Sequence, residues 1–522
     1  MTRPGAEQAQ EAGTGAILEP GATCWRLARA DRMAVIIDAA AYFAHLKAAI
    51  LKARHAILLI GWDFDTRVAL DREDPDPHAP NRLGSLLNHV VRRHPQLRVY
   101  VLRWDLAFLK MPLRGTTPLF LLEWLTSRRL HFHLDAHHPP DACHHQKIAV
   151  IDDAIAFCGG IDVTVDRWDT PAHPDRDPRR VRPDGSQHGP WHDVTAAVDG
   201  AAAQALGALA RARWQTANGW RPDAPRPVGD YWPEGLEPGF RAVDVAIART
   251  EPAYGGQPEV REIEALYLAA FAAARRTIYL ESQYFSAHRL SEALAERLTE
   301  PDGPEVVVVN PRQAEGWLEE EIMGSARAHL LRKLRRADTH NRLRFYTPVT
   351  EGGADIYVHA RVLVIDDALI RIGSSNVNNR SMGVDTECDL AVEVRPGDAD
   401  APALRAAILR VRDSLLAEHL GITRDELREI LQAEDGSLVR ALDRLRGRSG
   451  KTLVPFEPPA LSGMERELAR TYILDPQRPE SMSATFIQAL RVVVPAHAAA
   501  LAAVAVAVGV GAVIAGRRRD GA

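Results

Sequence analysis

Apolar positions along this chain follow helical spacing in some stretches and form short continuous runs in others, and the two patterns alternate. Ala40 to Arg54 has apolar residues at helical spacing and leads into Ala56-Ile57-Leu58-Leu59-Ile60, a run that stops at Gly61. The pattern predicts a helix and then a buried strand. It recurs from Leu83 to Arg93 into Leu97 to Leu102, and again from Leu119 to Ser127 toward His131. Arg221 to Gly239 interrupts it with five prolines. Beyond that stretch come a predicted helix at Glu262 to Arg275, a strand at Thr277 to Leu280, a helix at Leu290 to Leu298, a strand at Val306 to Val309 and a long helix at Ala314 to Arg335. Alternating helices and apolar strands imply an α/β layered architecture in both halves.

The expected organisation is a flexible leader with a first strand at 1–39, an α/β half at 40–220, a linker at 221–239, a second α/β half at 240–421, and a helical extension at 422–490. Thr170 to Pro190 is rich in Pro, Asp and Arg and long for a connection, so it reads as a functional lid or a disordered insertion. A chain of 522 residues exceeds the roughly 250–300 residues of a single core, in keeping with two halves. Lys and Arg total 64 against 69 Asp and Glu, a net charge of −5 that disfavours dedicated nucleic-acid binding. Cys24, Cys143, Cys158 and Cys388 lack C-x-x-C spacing and read as reduced thiols. From Val492 to Ala515 no charge occurs, and Arg517, Arg518 and Arg519 follow at once. Residues 492–516 are therefore expected to form an apolar C-terminal helix, spanning or lying on a membrane, with the catalytic body on the cytoplasmic face.

The strongest signal is a repeat. His145-Gln146-Lys147-Ile148-Ala149-Val150-Ile151-Asp152-Asp153-Ala154 matches His359-Ala360-Arg361-Val362-Leu363-Val364-Ile365-Asp366-Asp367-Ala368 without a gap, at an offset of 214. The same offset takes Gly159 to Gly373, Gly160 to Ser374 and Asp162 to Asn376. In a strand, positions i and i+2 face one side, so His145 projects with Lys147, and His359 with Arg361. Two imidazoles and two fixed cations suit a phosphodiester. The cations stabilise charge gathering on the phosphoryl oxygens, while one histidine attacks phosphorus and the other protonates the leaving alkoxide. Each ring needs a carboxylate to set its tautomer, and Asp193 and Glu387 are the acids assigned. Ser374 and Asn376 offer neutral groups beside the phosphate. An alternative for the first copy is metal binding, since His131, His133, His137, His138, His144 and His145 cluster near Cys143; no matching ligand set recurs in the second half.

These motifs resemble the phospholipase D superfamily, whose mark is two copies of H-x-K-x4-D. The resemblance includes Gly159-Gly160-Ile161-Asp162 followed by Arg167-Trp168-Asp169, Pro190-Trp191-His192-Asp193, Glu281-Ser282-Gln283-Tyr284-Phe285, Gly373-Ser374-Ser375-Asn376-Val377-Asn378-Asn379-Arg380-Ser381 and Ala417-Glu418-His419-Leu420-Gly421. It covers roughly Ala40 to Gly421, and its blocks look most like the phospholipases proper. It implies two similar α/β halves packed pseudo-symmetrically around one site, and hydrolysis or transphosphatidylation through a phosphohistidine without metal or other cofactor. The expected catalytic set is His145, Lys147, Asp152, His359, Arg361 and Asp366. The family implies His145 as nucleophile and His359 as general acid; the residues alone are nearly symmetric. Expected partners are a phospholipid substrate, a membrane, and water or an alcohol as acceptor. Arg361 departs from the family's Lys, which keeps the charge on a larger planar fork. A cardiolipin-synthase-like transferase and a catalytically silent lipid-binding protein are the alternatives.

Overall fold

A computed structural model describes residues 16–105, 124, 127–226, 228–313, 323–395, 397–398, 400–458 and 475–476. In chain order the first elements are β1 (Arg26–Ile37), α1 (Ala39–Lys52), β2 (Ala56–Gly61), α2 (Leu83–Arg93), β3 (Arg98–Trp104), β4 (Leu130–Asp135), β5 (Ile148–Ile151), β6 (Ile155–Gly159), β7 (Trp191–His192), β8 (Val194–Asp199) and α3 (Gly200–Asn218). Then come β9 (Phe240–Glu251), β10 (Val260–Arg261), α4 (Glu262–Ala273), β11 (Thr277–Glu281), α5 (His288–Thr299), β12 (Glu305–Val309), α6 (Ser325–Ala337), β13 (Leu343–Val349), β14 (Tyr357–Val358), β15 (Val362–Ile365), β16 (Leu369–Gly373), α7 (Asn379–Gly383) and β17 (Glu387–Glu393). The described chain continues with α8 (Ala401–Leu420), α9 (Arg424–Ala433), α10 (Leu438–Leu445) and β18 (Thr452–Pro455). The fold is mixed α/β around one large sheet.

That sheet has 16 strands in the order β18-β13-β12-β11-β15-β16-β17-β9-β1-β8-β6-β5-β2-β3-β4, with β10 added beside β9. Its middle is the antiparallel pair of β1 and β9, registered from Arg26 opposite Ile247 to Met33 opposite Phe240. Outward on one side run β8, β6, β5, β2, β3 and β4; on the other run β17, β16, β15, β11, β12 and β13. The outer strands β2–β3–β4 and β11–β12–β13 are parallel. Parallel strands are covered on both faces, which is why β2 and β12 read as unbroken apolar runs. Residues from both sides of the β1–β9 pair share one core, including Met33, Leu58, Val198, Val245, Ile372 and Leu390. No helix or strand lies in the described part of 221–239.

Between β5 and β6, Asp152 and Asp153 turn the chain with φ of 53° and 54°, and Asp366 does so between β15 and β16 at 51°. Aspartate tolerates this left-handed region better than most side chains. The Thr170 to Pro190 segment is neither an open lid nor disordered. It is a run of turns pinned by buried His173, Asp177 and Arg180. The region after 400 begins with a helix of 20 residues. The expected C-terminal membrane anchor is corrected. No helix of the described residues is long and apolar enough to cross a membrane. Residues 492–516 lie outside the described residues, as does most of the predicted helix from Leu119 to Ser127.

Candidate active site

Both histidines sit just before a buried strand, and both are clamped by the opposite half. The segment before β5 lies along residues 385–386: Cys143 N–H donates to Asp385 Oδ1 at 2.8 Å and His145 N–H to the Thr386 carbonyl at 2.9 Å. On the other side, β14 pairs in parallel with β7, and His359 N–H donates to the His192 carbonyl at 2.8 Å. The next residue on each supporting segment is a carboxylate, Glu387 in one case and Asp193 in the other. Each acid therefore reaches the histidine of the other half. Nδ1 of His145 is 3.0 Å from both Glu387 oxygens, and Nδ1 of His359 is 2.6 Å from Asp193 Oδ2. A carboxylate on Nδ1 fixes the proton there and leaves Nε2 for chemistry.

The cations are held differently. Lys147 Nζ lies 3.1 Å from Asp162 Oδ2 and donates to the His145 carbonyl at 3.0 Å. Arg361 meets neutral groups: Nε donates to Asn376 Oδ1 at 3.1 Å and Nη2 to Gln283 Oε1 at 2.7 Å, with Asp193 farther off at 3.9 Å. Its guanidinium also covers the neighbouring imidazole, with Nη2 3.2 Å from His359 Nε2 and Nη1 against Nδ1. Ser374 Oγ donates to Glu387 Oε2 at 2.5 Å, and Ser381 Oγ to Oε1 at 2.6 Å. Gly160 has a steric reason: a Cβ there would lie 2.1 Å from Asp193 Oδ1 and 3.2 Å from Arg361 Nη1.

Electrostatics follow from burial. Burial, then the charges of Lys147 and Arg361, hold His145 well below the usual imidazole range. His359 is depressed in the same way, by burial and then by Arg361, Arg167 and Lys147. Burial raises Glu387 to about 8 against the hydrogen bonds from Ser374 and Ser381, and raises Asp193 to about 7 against the pull of Arg361. Burial also lowers the Arg361 guanidinium. A neutral imidazole with a free Nε2 suits nucleophilic attack and the acceptance of a proton, and donation from Nε2 requires the imidazolium.

A family model described as Phospholipase D matches residues 333–469, which include the second histidine and its cation. The chain is 26% identical over 473 residues to Phospholipase D A of Dictyostelium discoideum, covering 74% of this chain and 35% of that protein. It is 25% identical over 541 residues to Phospholipase D alpha 1 of Carica papaya, covering 77% of this chain and 66% of that one. These matches support membership of the phospholipase D superfamily. The chain spans less than two thirds of the length of these relatives. The fold has a counterpart in the phosphatidylserine synthase of Haemophilus influenzae Rd KW20, with a TM-score of 0.52 and 13% identity over 80% of this chain and 97% of that one.

Of the residues the superfamily motif picks out, Asp152 and Asp366 are not brought to the histidines. They follow the far end of the four-residue strands β5 and β15, each about 13 Å long, and lie seven residues beyond the histidines. Asp152 accepts from the backbone N–H groups of Arg54, His55 and Ala56 at 2.6, 2.8 and 2.5 Å, and from the Tyr231 hydroxyl at 2.8 Å. Asp366 accepts from Arg275, Arg276 and Thr277 at 2.9, 2.8 and 2.7 Å. Both tie the end of a helix to the start of β2 or β11. Their placement in the catalytic set is corrected to an architectural role, the motif's spacing being set by the turn rather than by chemistry. His145, Lys147, His359, Arg361, Asp193, Glu387, Ser374 and Asn376 do converge. Asp162, Gln283 and Ser381 join them without an assigned role; all three fall in the blocks that carry the resemblance, the last in Gly373-Ser374-Ser375-Asn376-Val377-Asn378-Asn379-Arg380-Ser381, and that was the available signal.

The histidines beside Cys143 are spoken for. His138 lies 2.9 Å from Asp105, His144 is 3.2 Å from Asp135, and His131 stacks on Tyr100 with ring centres 5.1 Å apart. Metal-capable donors gather elsewhere, behind the site: Asp38, His173, His192 and Glu418 bring four donor atoms within 4.8 Å of one another, as His192, Glu281 and His419 bring three. These groups satisfy one another, with His192 Nδ1 2.8 Å from Glu418 and Nε2 2.8 Å from Glu281. Burial opposes the charge on His192, yet Glu418 and Glu281 outweigh it and hold the imidazole well above its usual value. The ion-paired His192 underpins the backbone that carries Asp193.

Proposed function

We propose that this chain hydrolyses the head-group phosphodiester of glycerophospholipids to phosphatidic acid through a phosphohistidine, and that an alcohol can replace water as acceptor. The observation that carries this reading is the crossed pair: two imidazoles, each with Nδ1 on a carboxylate of the opposite half, flanked by Lys147 and Arg361. Equal strand order outward from β1 and β9 supports two pseudo-symmetric halves, 40–220 and 240–421, sharing this site. The phospholipase D and phosphatidylserine synthase relatives bring phospholipid as the substrate class.

In the first step His145 Nε2 attacks phosphorus, the bond to the head-group oxygen breaks, and His359, in the imidazolium form with a second proton on Nε2, gives that proton to the alkoxide. Lys147 and Arg361 take up the charge that grows on the phosphoryl oxygens. For this, the Arg361 fork turns from the His359 ring to the phosphate, which frees Nε2 for its proton. In the second step water gives its proton to His359 and its oxygen attacks phosphorus, the P–N bond breaks, and phosphatidic acid leaves. The nucleophile assignment is supported by exposure: the His145 side chain is 16% accessible, while that of His359 is 6% accessible and has Arg361 at Nε2.

The test is incubation of the purified full chain with mixed-lipid vesicles, with and without a primary alcohol. Phosphatidic acid, joined by a phosphatidyl alcohol when alcohol is present, is expected. Cardiolipin as the main product would replace hydrolysis by transfer, and no product at all would leave a silent lipid-binding protein.

A further inference from the structure

Eight arginines are buried among the described residues: 103, 167, 180, 211, 327, 361, 371 and 412. Most of them pair with a carboxylate, as Arg180 does with Asp169 at 3.1 Å and Arg211 with Asp153 at 2.7 Å. Arg327 donates from its two terminal nitrogens to Asn310 and two backbone carbonyls. Arg167 differs. It is 6% exposed, makes no hydrogen bond or ion pair among the described residues, and its Nε has no partner. Its one recorded contact is with the ring of Trp191, whose centroid lies 4.3 Å from the guanidinium carbon. A buried cation without an acid is costly to keep, so its position calls for a negative charge that the protein does not itself supply.

That position is the active site. Trp191 lies 5.1 Å, ring to ring, from His359 and stacks on Tyr357 at 4.5 Å. The charge of Arg167 is felt at His359, Asp193 and Arg361. The balance of charge points the same way. Lys147 is neutralised by Asp162 at 3.1 Å, Arg361 has a carboxylate, Asp193, only at 3.9 Å and otherwise meets the neutral Asn376 and Gln283, and Arg167 has no carboxylate within ion-pair distance among the described residues. One cation is closely compensated and two are not. A phosphodiester carries one negative charge and gathers more at phosphorus during displacement, which is what two loosely compensated guanidinium groups accommodate.

We propose that Arg167 is a third phosphate ligand, its guanidinium binding a non-bridging phosphoryl oxygen on the His359 side of the site. This rests on the phosphodiester chemistry proposed above and adds a residue to it. At the offset of 214, Arg167 falls opposite Ser381, whose hydroxyl serves Glu387. The repeat therefore could not reveal it, because the two halves put different chemistry at this position.

The experiment uses the full chain and two variants. Arg167→Met keeps an apolar stem against Trp191 and removes the charge, and Arg167→Lys keeps the charge. Binding of orthovanadate and of inorganic phosphate is measured by calorimetry, with the melting temperature recorded for each protein. The Met variant is expected to bind orthovanadate on the order of 10–100-fold more weakly than the parent, with Lys recovering most of the loss. Parental affinity in the Met variant overturns the proposal, and so does equal weakening in Met and Lys, which would make the role one of packing on Trp191. Should Met fail to fold, the Lys variant decides: affinity within about tenfold of the parent supports the ligand, and a larger loss at unchanged melting temperature overturns it. A parent that shows no measurable orthovanadate affinity also overturns it. The two proposals fail separately, because binding through Arg167 without phosphatidic acid sinks only the function, and phosphatidic acid with parental binding in Met sinks only Arg167.

Discussion

The two arms that carry the histidines share a sequence pattern but differ in what surrounds them. In the first arm, Lys147 is bound to Asp162, an acid of its own half, and the His145 side chain keeps 16% of its surface accessible. In the second arm, Asn376 replaces that acid, and Arg361 spreads over Asn376, Gln283 and the His359 ring itself. The acids behind the rings are exchanged between halves, so neither arm is complete alone. A repeated motif thus gives two unequal tools: a closely paired cation beside the more exposed histidine, and a loosely paired cation beside a restrained proton donor. The substitution of Lys by Arg belongs with the neutral Asn376, since a planar fork needs several acceptors where an ammonium needs one acid.

The sharpest way to break this contrast is to remove each ring. Loss of either histidine should cost at least about 10⁴-fold in turnover of a natural phospholipid. With an activated phosphodiester the two should part. His359→Ala should still form a phosphoryl-enzyme, which then persists for want of a base, whereas His145→Ala should form none. Peptide mapping by mass spectrometry reads the outcome. Label on the peptide containing His359 would reverse the roles, and label on neither would remove the covalent step.

Removing each cation comes next. Arg361→Ala should lower kcat/KM by about 10²–10³-fold with a modest loss of stability, because Asn376 and Gln283 are neutral. Lys147→Ala should cost similar activity and also several kcal/mol of stability, roughly 3–5, because it strands Asp162, a buried carboxylate 2% exposed at its side chain. Denaturant unfolding compares them, and equal stability losses would mean that the Lys147–Asp162 pair is no different from the Arg361 site.

Asp152 and Asp366 show where sequence reasoning stopped. They complete the motif at its fixed spacing, yet the strand between them and the histidines carries them away from the site to backbone amides. Asp152→Asn and Asp366→Asn should each cost about 1–3 kcal/mol of stability and leave kcat within about tenfold at temperatures where the fold persists. Activity lost at full stability would return them to the catalytic set.

Much else was legible. The helix at Leu83–Arg93 and the strand starting at Ala56 fall where the spacing put them, because both bury one continuous apolar face. The converging residues were legible because a duplicated pattern with i, i+2 projection says which side chains meet. What could not be read was which acid serves which ring. That depends on the pairing of β7 with β14 and of residues 385–386 with the His145 segment, contacts between positions about 166 and 242 residues apart that no local pattern encodes. Nor did the five prolines between the halves mark a break between cores, since β1 and β9 join the halves into one sheet.

Arg361→Lys sharpens the comparison by making the second arm resemble the first. A shorter cation without the fork should leave the His359 ring, and its imidazole value should then rise toward the usual range. Since the proposed acid must be protonated in the first step, the alkaline limb of kcat should move upward by on the order of one pH unit. An unmoved limb would show that the guanidinium does not govern His359.

The smallest effect lies in stability. Burial holds Glu387 at about 8 and Asp193 at about 7, so the folded chain keeps protons that the unfolded chain gives up near pH 4. For a carboxylate raised in this way, the folded state binds more protons than the unfolded one. Stability from these groups is therefore full below about pH 4 and is lost as pH rises through about 7 and 8. The depressed histidines act in the opposite sense but only below about pH 6.5, where the unfolded imidazoles begin to take protons. Between about pH 6.5 and 9 the two acids act together with the raised His192 and His173, which also lose stability as pH climbs and which substitution of the two acids leaves in place. Over that window the melting temperature of the parent should fall, and that of a Glu387→Gln, Asp193→Asn double variant should fall less, by about one or two degrees. Parallel slopes in calorimetric scans would mean that these carboxylates are already ionised at neutral pH. The histidines would then face full negative charge, and both rings would titrate closer to their ordinary value than burial alone allows.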